Sequence, residues 1–388
     1  MGNSKFSACQ IVTFQLTARE IYHSQNNTSV EKAAKKSRTL KISIIISVLL
    51  SIIIILVILK LTLDPTTVDQ LLHANIRYEY FLLAVFLNVL AWFIWGARLM
   101  VLSNAIDKNI HVGLWESTKI VIANLFLAGI SPSMAGGEPV RIYLLKEDGM
   151  SLGGATASVL GERLIDAIFV LICIPFALFI FKDRIDNKIL NAGLLIGVVV
   201  FIIFVAMFLY AIKYPDKVKS FLTSLELKIA KLFKRKERTK LTDFINREVD
   251  NFHNSMVFFA REGKKAFLIG GVLTVAYWFT GFLIPSALLV GLGLPPYIIE
   301  SFAAQMLLLV IVMMPTTPGS SGIAEGGMAG LYSVIIGIGS PQLYLLGVFV
   351  ILFRFITYHM NVIAGAIFQY RIFKSITSFS LETLSKNE

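Results

Sequence analysis

The sequence predicts an all-α fold: a polytopic bundle of transmembrane helices containing two inverted repeats, each built around a re-entrant or broken helix. Composition is the first reason, because 56% of the 388 residues are hydrophobic and the mean hydropathy is +0.72. A chain this apolar does not have a water-soluble surface, so most of its surface is expected to face lipid. Two further observations are a set of long apolar runs and a motif that occurs twice.

The apolar runs supply the predicted membrane spans. A hydrocarbon core about 30 Å thick takes about 20 apolar helical residues to cross. The runs that meet this need are 42–59, 80–102, 164–181, 191–212, 266–291 and 343–368. Two shorter stretches, 114–130 and 301–314, end in Pro and Gly clusters and are expected to be half-crossings. The run at 42–59 has no small-residue cleavage site after it, which favours a retained span over a signal peptide.

The distribution of basic residues predicts the topology. The segment 213–265 holds fourteen Lys or Arg against seven Asp or Glu, and the stretch before the first span is also basic. The positive-inside rule places both in the cytoplasm. Six full crossings then put 60–79 outside and the basic tail inside, so both termini are predicted to be cytoplasmic. The net charge of +11 is therefore explained by loops at a membrane, and it does not indicate a nucleic-acid partner.

The chain is expected to have five parts. They are a cytoplasmic, disordered segment at 1–40, a first membrane half at 41–212 with a broken-helix motif at 114–150, a basic cytoplasmic loop at 213–265, a second membrane half at 266–371 with its motif at 301–339, and a cytoplasmic tail at 372–388. Within the loop, apolar residues from Val218 to Phe233 recur at helical spacing and are backed by lysines. This pattern predicts a basic amphipathic helix, which either lies on anionic headgroups or docks against the bundle.

A motif in each membrane half forms the predicted repeat. The first copy reads NLFLAGISPSMAGGEPVRIYLL from Asn124, and the second reads LVIVMMPTTPGSSGIAEGGMAGLY from Leu309. Each copy has an apolar approach, a Pro/Ser/Gly turn, a Glu that opens a second short helix, and then a span that carries Arg. The predicted topology inserts the two copies from opposite faces, which makes them inverted. Inverted repeats with interrupted helices are typical of alternating-access transporters.

The turns of both motifs lead into helix N-termini. In the first, Pro139 follows Glu138, and Pro is favoured at the first position of a helix, so a short helix is expected to begin near Glu138. Its free N–H groups would suit a phosphate. In the second copy, Ser320 and Ser321 precede Glu325 in the same way. The alternative is that both Glu side chains only cap their own helices.

Charged residues inside the spans are the candidate substrate-binding residues. Glu162 and Asp166 share a helix face, and Arg163 is within reach of Asp166 near the start of its predicted span. Such charges are costly in lipid, so they should face the interior of the bundle, as a ligand site or as a purely structural ion-pair network. The candidates are Glu138, Arg141, Glu162, Arg163, Asp166, Glu325 and Arg354.

Two arginines in the spans receive different interpretations. Arg354 has no acidic residue within a turn of it on its own helix, so its partner is expected to be Glu325 or a bound anion. Arg98 follows Trp92 and Trp95 near the end of its predicted span, which is typical of an aromatic belt with a cation that reaches the interface.

Enzyme motifs are absent from the sequence. It contains no H-E-x-x-H, no G-x-S-x-G and no Walker A lysine, and its five His are scattered. No catalytic residue, metal site or cofactor is therefore predicted, and ATP-driven pumping by this chain alone is excluded.

The motif at 132–145, the Glu162-Arg163-Leu-Ile-Asp166 run and the Pro-Thr-Thr-Pro-Gly turn with Glu325 and Arg354 resemble the membrane region of lysylphosphatidylglycerol synthase/flippases. The resemblance covers about 40 to 370. It implies translocation of a lipid between leaflets, or handling of lipid-linked sugars as in archaeal relatives. The full bacterial enzymes carry a soluble transferase domain after the spans, and this chain ends at 388, so aminoacyl transfer is not expected.

The favoured function is therefore a flippase or scramblase in the cell membrane that moves an anionic phospholipid or a polyprenyl-phosphate-linked lipid, with membrane lipids as partners. Two alternatives stay open. One is a small-anion or proton-coupled carrier in which Glu162 and Asp166 titrate, and the other is a membrane-embedded transferase that acts on a lipid-linked sugar. The sequence also leaves open whether copies associate into a homo-oligomer.

Overall fold

The computed structural model describes residues 76–107, 110–131, 136–182, 213–232, 261–312 and 320–369, with separate positions between 199 and 210 and between 246 and 259. This part of the chain is helical and contains no strand, which confirms the all-α prediction. The predicted span 42–59, most of 191–212, the two terminal segments and the turns at 132–135 and 313–319 lie outside the described residues.

The helices are numbered here in chain order. They are α1 (Tyr78–Ile106), α2 (Leu114–Ile130), α3 (Gly137–Glu147), α4 (Leu152–Phe181), α5 (Pro215–Leu232), α6 (Lys264–Gly291), α7 (Ile298–Val312), α8 (Ile323–Ile336) and α9 (Gln342–Gln369).

Four of these helices, α1, α4, α6 and α9, are long and apolar enough to cross a membrane, with 28 to 30 residues each. They correspond to the predicted spans at 80–102, 164–181, 266–291 and 343–368. The start of α4 differs, because the helix begins at Leu152, twelve residues before the predicted span. Ser151 caps it by accepting a hydrogen bond from Gly154 N at 3.1 Å. Glu162 consequently lies well inside the helix, about 15 Å along its axis from Leu152 at about 1.5 Å per residue, instead of near the start of a span.

The two stretches that were predicted to be half-crossings form helical hairpins. The first arms, α2 and α7, have only 17 and 15 residues. In the second hairpin, Gln305 of α7 donates to Tyr332 at 3.2 Å, and Gly327 of α8 lies against Leu308. Contacts between the two helices therefore pair later residues of α7 with earlier residues of α8, so α7 and α8 are antiparallel. In the first hairpin, α3 begins at Gly137, which packs against Asn124 and Ala128 of α2.

The order of elements recurs in the two halves. A long helix, two short ones and a second long helix appear as α1 to α4 and again as α6 to α9. The two leading helices, α1 and α6, pack along their whole length: Phe81 lies against Gly291, Trp95 is 5.5 Å from Tyr277 between ring centroids, and Leu102 lies against Gly270. Because later residues of α1 contact earlier residues of α6, the two helices are antiparallel.

The hairpin of the first half packs closely on the last helix of the second. A Cβ atom added to Gly365 of α9 would lie 2.4 Å from the backbone N of Phe126 and 2.9 Å from the carbonyl O of Ile122. Gly129 of α2 similarly lies against Val362. At Gly365 the backbones of α2 and α9 are in contact, and at Gly129 the backbone of α2 meets a methyl group of Val362, so both positions suit glycine.

We expect Gly365→Ala to lower the free energy of unfolding by about 1–3 kcal/mol, because the added methyl group overpacks a backbone contact that cannot yield. The measurement is the thermal midpoint of the detergent-purified protein. Gly271→Ala in α6 is the matched control, since its Cβ would have no heavy atom within 4 Å. Equal midpoints for the two variants would contradict the close approach of α2 and α9.

Helix α5 confirms the helix predicted in the basic loop. The exposed fraction of Phe221 is 66%, and Lys219 bonds Asp250 with 2.5 Å between Nζ and Oδ1. The hydrogen bond to Asp250 raises the pKa of Lys219. An exposed aromatic ring beside lysines fits a helix that lies on headgroups, which stays a prediction.

Candidate functional site

Charged side chains of α1, α3 and α4 meet inside the bundle. Three arginines and three carboxylates form this first charge centre: Arg98, Arg141, Arg163, Glu138, Glu162 and Asp166. Arg98, Arg141 and Glu162 are fully buried, and Asp166 is 7% exposed. Five of the seven predicted site residues are therefore brought together in one cluster.

Arg98 of α1 holds the two carboxylates of α4 in place. Its Nε donates to Glu162 at 3.1 Å, and its Nη1 and Nη2 donate to the two oxygens of Asp166 at 2.6 and 3.4 Å. Nη1 also donates to Thr274 of α6 at 2.9 Å. These four bonds engage all three nitrogens of a fully buried guanidinium with protein groups, so Arg98 is a positioning residue.

The aromatic-belt interpretation of Arg98 is wrong. Helix α1 continues to Ile106, eight residues beyond Arg98, and the side chain is completely buried. Its distance from the helix end prevents the guanidinium from reaching an interface. A usable signal was the spacing of Asn88, Trp95 and Arg98, which places three polar or amphipathic side chains along one side of an otherwise apolar helix.

Arg141 of α3 approaches the same carboxylate from the other side. Its Nη1 is paired with Glu162, and its guanidinium lies 5.1 Å from the ring centroid of Trp95. Trp95 in turn donates its indole N–H to Glu162 at 3.3 Å. The Nε and Nη2 groups of Arg141 have no hydrogen-bond partner among the described residues, although the side chain is buried.

Arg163 and Glu138 form the outer part of the centre. Arg163 Nε and Nη2 lie 3.0 and 2.8 Å from Glu138 Oε1, and Nη1 donates to Asp166 at 3.3 Å, as the sequence predicted for that pair. The side chain of Arg163 is 37% exposed. Glu138 thus pairs with α4, so it is not only a cap of its own helix. Its second oxygen, Oε2, is unpartnered within the described part of the chain.

The second membrane half also contributes to the first centre. Trp278 of α6 donates its indole N–H to Asp166 at 3.0 Å, and Tyr277 lies under Arg98 with 5.4 Å from Cζ to the ring centroid. Together with Thr274, these residues bring α6 into the cluster. Sequence reasoning missed all three, because they lie more than a hundred residues from their partners.

The second charge centre contains Glu325 of α8 and Arg354, Tyr358 and Ser321 around it. Arg354 Nε is 2.8 Å from Glu325 Oε1, so the partner predicted for Arg354 is found. Glu325 Oε2 accepts from Gly322 N at 2.6 Å, so this carboxylate also caps α8. Arg354 Nη2 donates to Ser321 at 3.4 Å. Glu325 is fully buried and Arg354 is 5% exposed.

Tyr358 connects the second charge centre to the first hairpin. The Arg354 guanidinium lies 4.1 Å from its ring centroid, and its hydroxyl donates to the carbonyl of Gly129 at 3.0 Å. Gly129 lies at the end of α2, beside the first break. The helix widens into a π turn at Phe355–His359, directly after Arg354. Such turns occur frequently at functional sites.

A polar strip lies between the two centres, where α1 meets α9. Asn361 accepts from Asn88 at 2.8 Å and from the indole N–H of Trp92 at 3.1 Å. Its own amide donates to the carbonyl of Thr357 at 2.7 Å. On α1, Trp95 follows Asn88 by two helical turns, and on α9, Asn361 follows Arg354 by two turns. The strip therefore lies on the helix faces that carry the two centres.

Metal ligation has no candidate in the described residues, since they contain no group of three or more His, Cys, Asp or Glu placed to hold an ion. The chemistry available in both centres is that of charge pairing and hydrogen bonding. Guanidinium groups and helix N-termini in this setting can bind oxyanions such as phosphate.

Comparison with known proteins identifies relatives over most of the chain. The family model described as "Lysylphosphatidylglycerol synthase TM region" matches residues 44–365. A UPF0104 membrane protein of Archaeoglobus fulgidus is 33% identical over 301 residues, covering 76% of this chain and 87% of the relative. Two UPF0104 membrane proteins of Methanothermobacter thermautotrophicus are each 24% identical, over 67% and 66% of this chain and 75% of each relative. No solved structure matches.

Four helices long and apolar enough to cross a membrane accompany this match, so the chain is a membrane protein. The matched range includes both charge centres and both hairpins, which are the features that carried the resemblance seen in the sequence. The chain belongs to the lysylphosphatidylglycerol synthase transmembrane-region family.

Proposed function

We propose that this membrane protein is a lipid flippase or scramblase that moves a lipid with a phosphate-bearing headgroup between the leaflets of the cell membrane. The observation that carries the proposal is the pair of buried charge centres, each at a helical hairpin, with a polar strip on the helix faces that carry them. The candidate lipids are an anionic phospholipid or a polyprenyl-phosphate-linked lipid. The proposal assigns no catalytic residue and no cofactor.

The energetic cost of the charges supports a role beyond packing. Placing one Arg, Asp or Glu at the centre of a spanning helix costs about 2.5–3.5 kcal/mol on insertion scales. Eight charged side chains lie in the two centres, five of them on the long helices, where apolar residues would hold helices together at lower cost. Intramembrane charges of this kind are typical of substrate pathways.

The arrangement of the two halves supports an inverted repeat. The equivalent helices α1 and α6 run antiparallel, as a two-fold axis in the membrane plane requires. In each half, the first arm of the hairpin packs against the last long helix of the other half, which also agrees with an inverted repeat. Helix α2 contacts α9 at Gly365, and α7 contacts α4 where the ring centroids of Phe302 and Phe176 are 6.4 Å apart. Transporters with inverted repeats bind their substrate at the interface of the repeats, which is where both charge centres lie.

The positions of the centres along their helices suggest two successive binding steps. Glu162 lies about 15 Å from the start of α4, and Arg354 lies about 18 Å from the start of α9. In the proposed topology, with cytoplasmic termini, these two starts face opposite sides of the membrane. A headgroup could then exchange between centres along the strip of Asn88, Trp92 and Asn361 while its acyl chains stay in lipid.

The test is transport by the purified full-length chain in vesicles. Fluorescent phosphatidylglycerol, phosphatidylethanolamine and a polyprenyl phosphate are each placed in both leaflets, and the fraction bleached by a membrane-impermeant reductant is followed over time. We expect at least one lipid to cross faster than in protein-free vesicles. Crossing at the protein-free rate for all three lipids would contradict the proposal. Uptake of a soluble anion under those conditions would favour a carrier, and modification of a lipid-linked sugar would favour a transferase.

A further inference from the structure

The first charge centre is electrically balanced. Its three guanidinium groups and three carboxylates cancel, and the described residues bring no other ionised side chain into bonding contact with them. A ligand with a net charge of −1 would therefore leave one uncompensated charge in the interior of the bundle. A ligand that is itself balanced would not. The balance thus bears on which class of headgroup the centre accepts.

Both hydrogen-bond donors and a hydrogen-bond acceptor of the first charge centre lack partners among the described residues. On the donor side, Arg141 Nε and Nη2 are buried and lack partners among the described residues. On the acceptor side, Glu138 Oε2 is buried and unpartnered in the same set. The two groups are neighbours, because Arg141 Nη2 is 4.0 Å from Glu138 Oε1. Buried polar atoms without partners are costly, so this pair of open positions favours a bound ligand.

Among the described residues, no buried side-chain nitrogen or oxygen of the other members of the centre lacks a partner. Arg98 donates from all three of its nitrogens to protein groups, and Arg163 bonds both Glu138 and Asp166. The free N–H groups at the start of α3 lie on the same short helix as Arg141 and Glu138 and add positive potential on the donor side. Within the described part of the chain, Arg141 and Glu138 are therefore the members of this centre whose buried polar atoms are left for a ligand.

We propose that Arg141 and Glu138 form a two-point site for a zwitterionic headgroup, in which Arg141 holds the phosphate and Glu138 accepts from an ammonium group. This inference rests on the proposed movement of a lipid with a phosphate-bearing headgroup, and it replaces the net-anionic candidates named there with ethanolamine-phosphate-type lipids. Phosphate and ammonium enter together, so the charge balance of the centre is preserved. Arg163 keeps its bond to the other oxygen of Glu138.

The test measures equilibrium binding of lipids to the full-length chain in detergent. Binding is measured by calorimetry with dihexanoyl lipids below their micellar concentration. We expect phosphatidylethanolamine to bind at least about tenfold more tightly than phosphatidylglycerol, which carries an uncompensated charge into the site. Phosphatidylcholine should also bind more weakly than phosphatidylethanolamine, because its quaternary ammonium cannot donate. Tighter or equal binding of phosphatidylglycerol would overturn the proposal, and equal binding of phosphatidylcholine would overturn the assignment of Glu138.

Two substitutions on α3 distinguish a specific loss of headgroup preference from a loss of folded protein. Glu138→Gln removes the charge that the ammonium meets, so the preference for phosphatidylethanolamine over phosphatidylglycerol should fall to about twofold or less. Glu147→Gln is the matched control, since Glu147 is exposed at the end of the same helix and should leave the preference unchanged. Thermal midpoints of both variants establish that they fold. A preference that survives Glu138→Gln in a folded protein would overturn the proposal.

The binding assay and the vesicle assay can contradict the two proposals independently. If phosphatidylglycerol crosses in the vesicle assay and binds best, the flippase proposal stands and the zwitterionic site is wrong. If phosphatidylethanolamine binds selectively and no lipid crosses, the site stands and the transport proposal is wrong.

Discussion

Arg98→Gln is expected to destabilise the protein by about 3–5 kcal/mol, the usual cost of removing one partner from a buried ion pair. The guanidinium compensates Glu162 and Asp166 together, and both carboxylates are buried. The shorter, neutral amide cannot compensate two charges. The loss should appear as a large drop in the thermal midpoint and as aggregation on size-exclusion chromatography of the detergent-purified protein.

Two further variants serve as controls for the effect of Arg98→Gln on stability. Arg77→Gln breaks an exposed pair with Glu79, whose nearest atoms are 3.8 Å apart, and should cost no more than about 1 kcal/mol. The double variant Arg98→Met and Asp166→Asn removes one charge of each sign and should recover part of the stability lost in the single variant, because Glu162 keeps Arg141 and Glu138 keeps Arg163. An Arg98→Gln protein as stable as the Arg77→Gln protein would show that Arg98 does not hold the centre together.

Arg354→Gln is expected to have the second large effect, again about 3–5 kcal/mol of stability, together with loss of lipid transport. The substitution strands Glu325 and removes the contacts of the guanidinium with Ser321 and with the ring of Tyr358. Stability is measured by the thermal midpoint, and transport by the vesicle assay.

The double variant Glu325→Gln and Arg354→Gln separates structure from function at this centre. The amide oxygen that replaces the Glu325 carboxylate can still accept from Gly322 N, and no unpaired charge is left, so most of the stability should return. Transport should stay lost, because the cation that would meet the phosphate is gone. Transport at the wild-type rate by the double variant would show that the second charge centre does not contact the lipid.

Much of the fold follows from local pattern. The lengths of the apolar runs predicted the helices that became α1, α4, α6 and α9, and the Pro and Gly clusters predicted that α2 and α7 would stop short. Pro139 after Glu138 predicted the start of α3, because a helix tolerates proline in its first turn. The pairs Arg163 with Asp166 and Arg354 with Glu325 were also predicted. The first needs only the i, i+3 geometry of one helix, and the second lies within one repeat.

The composition of the first charge centre could not be predicted in the same way. Arg98 meets Glu162 and Asp166 across 64 and 68 residues of chain, and Trp278 meets Asp166 across 112. Asn361 meets Asn88 across 273. No spacing rule links residues so far apart, and the run containing Arg98 looked like a span end only because the polar side of α1 was not recognised.

Hydrophobicity and helix-terminus chemistry act within a few turns, so the amino-acid order alone was enough to specify a helical membrane protein with two interrupted helices and with charges that must avoid lipid. The choice of partners for those charges was made by the packing of α1 against α4 and α6. That packing turned an arginine with an ordinary local context into the residue that holds the first centre, and among the described residues it left buried polar atoms of Arg141 and Glu138 without hydrogen-bond partners.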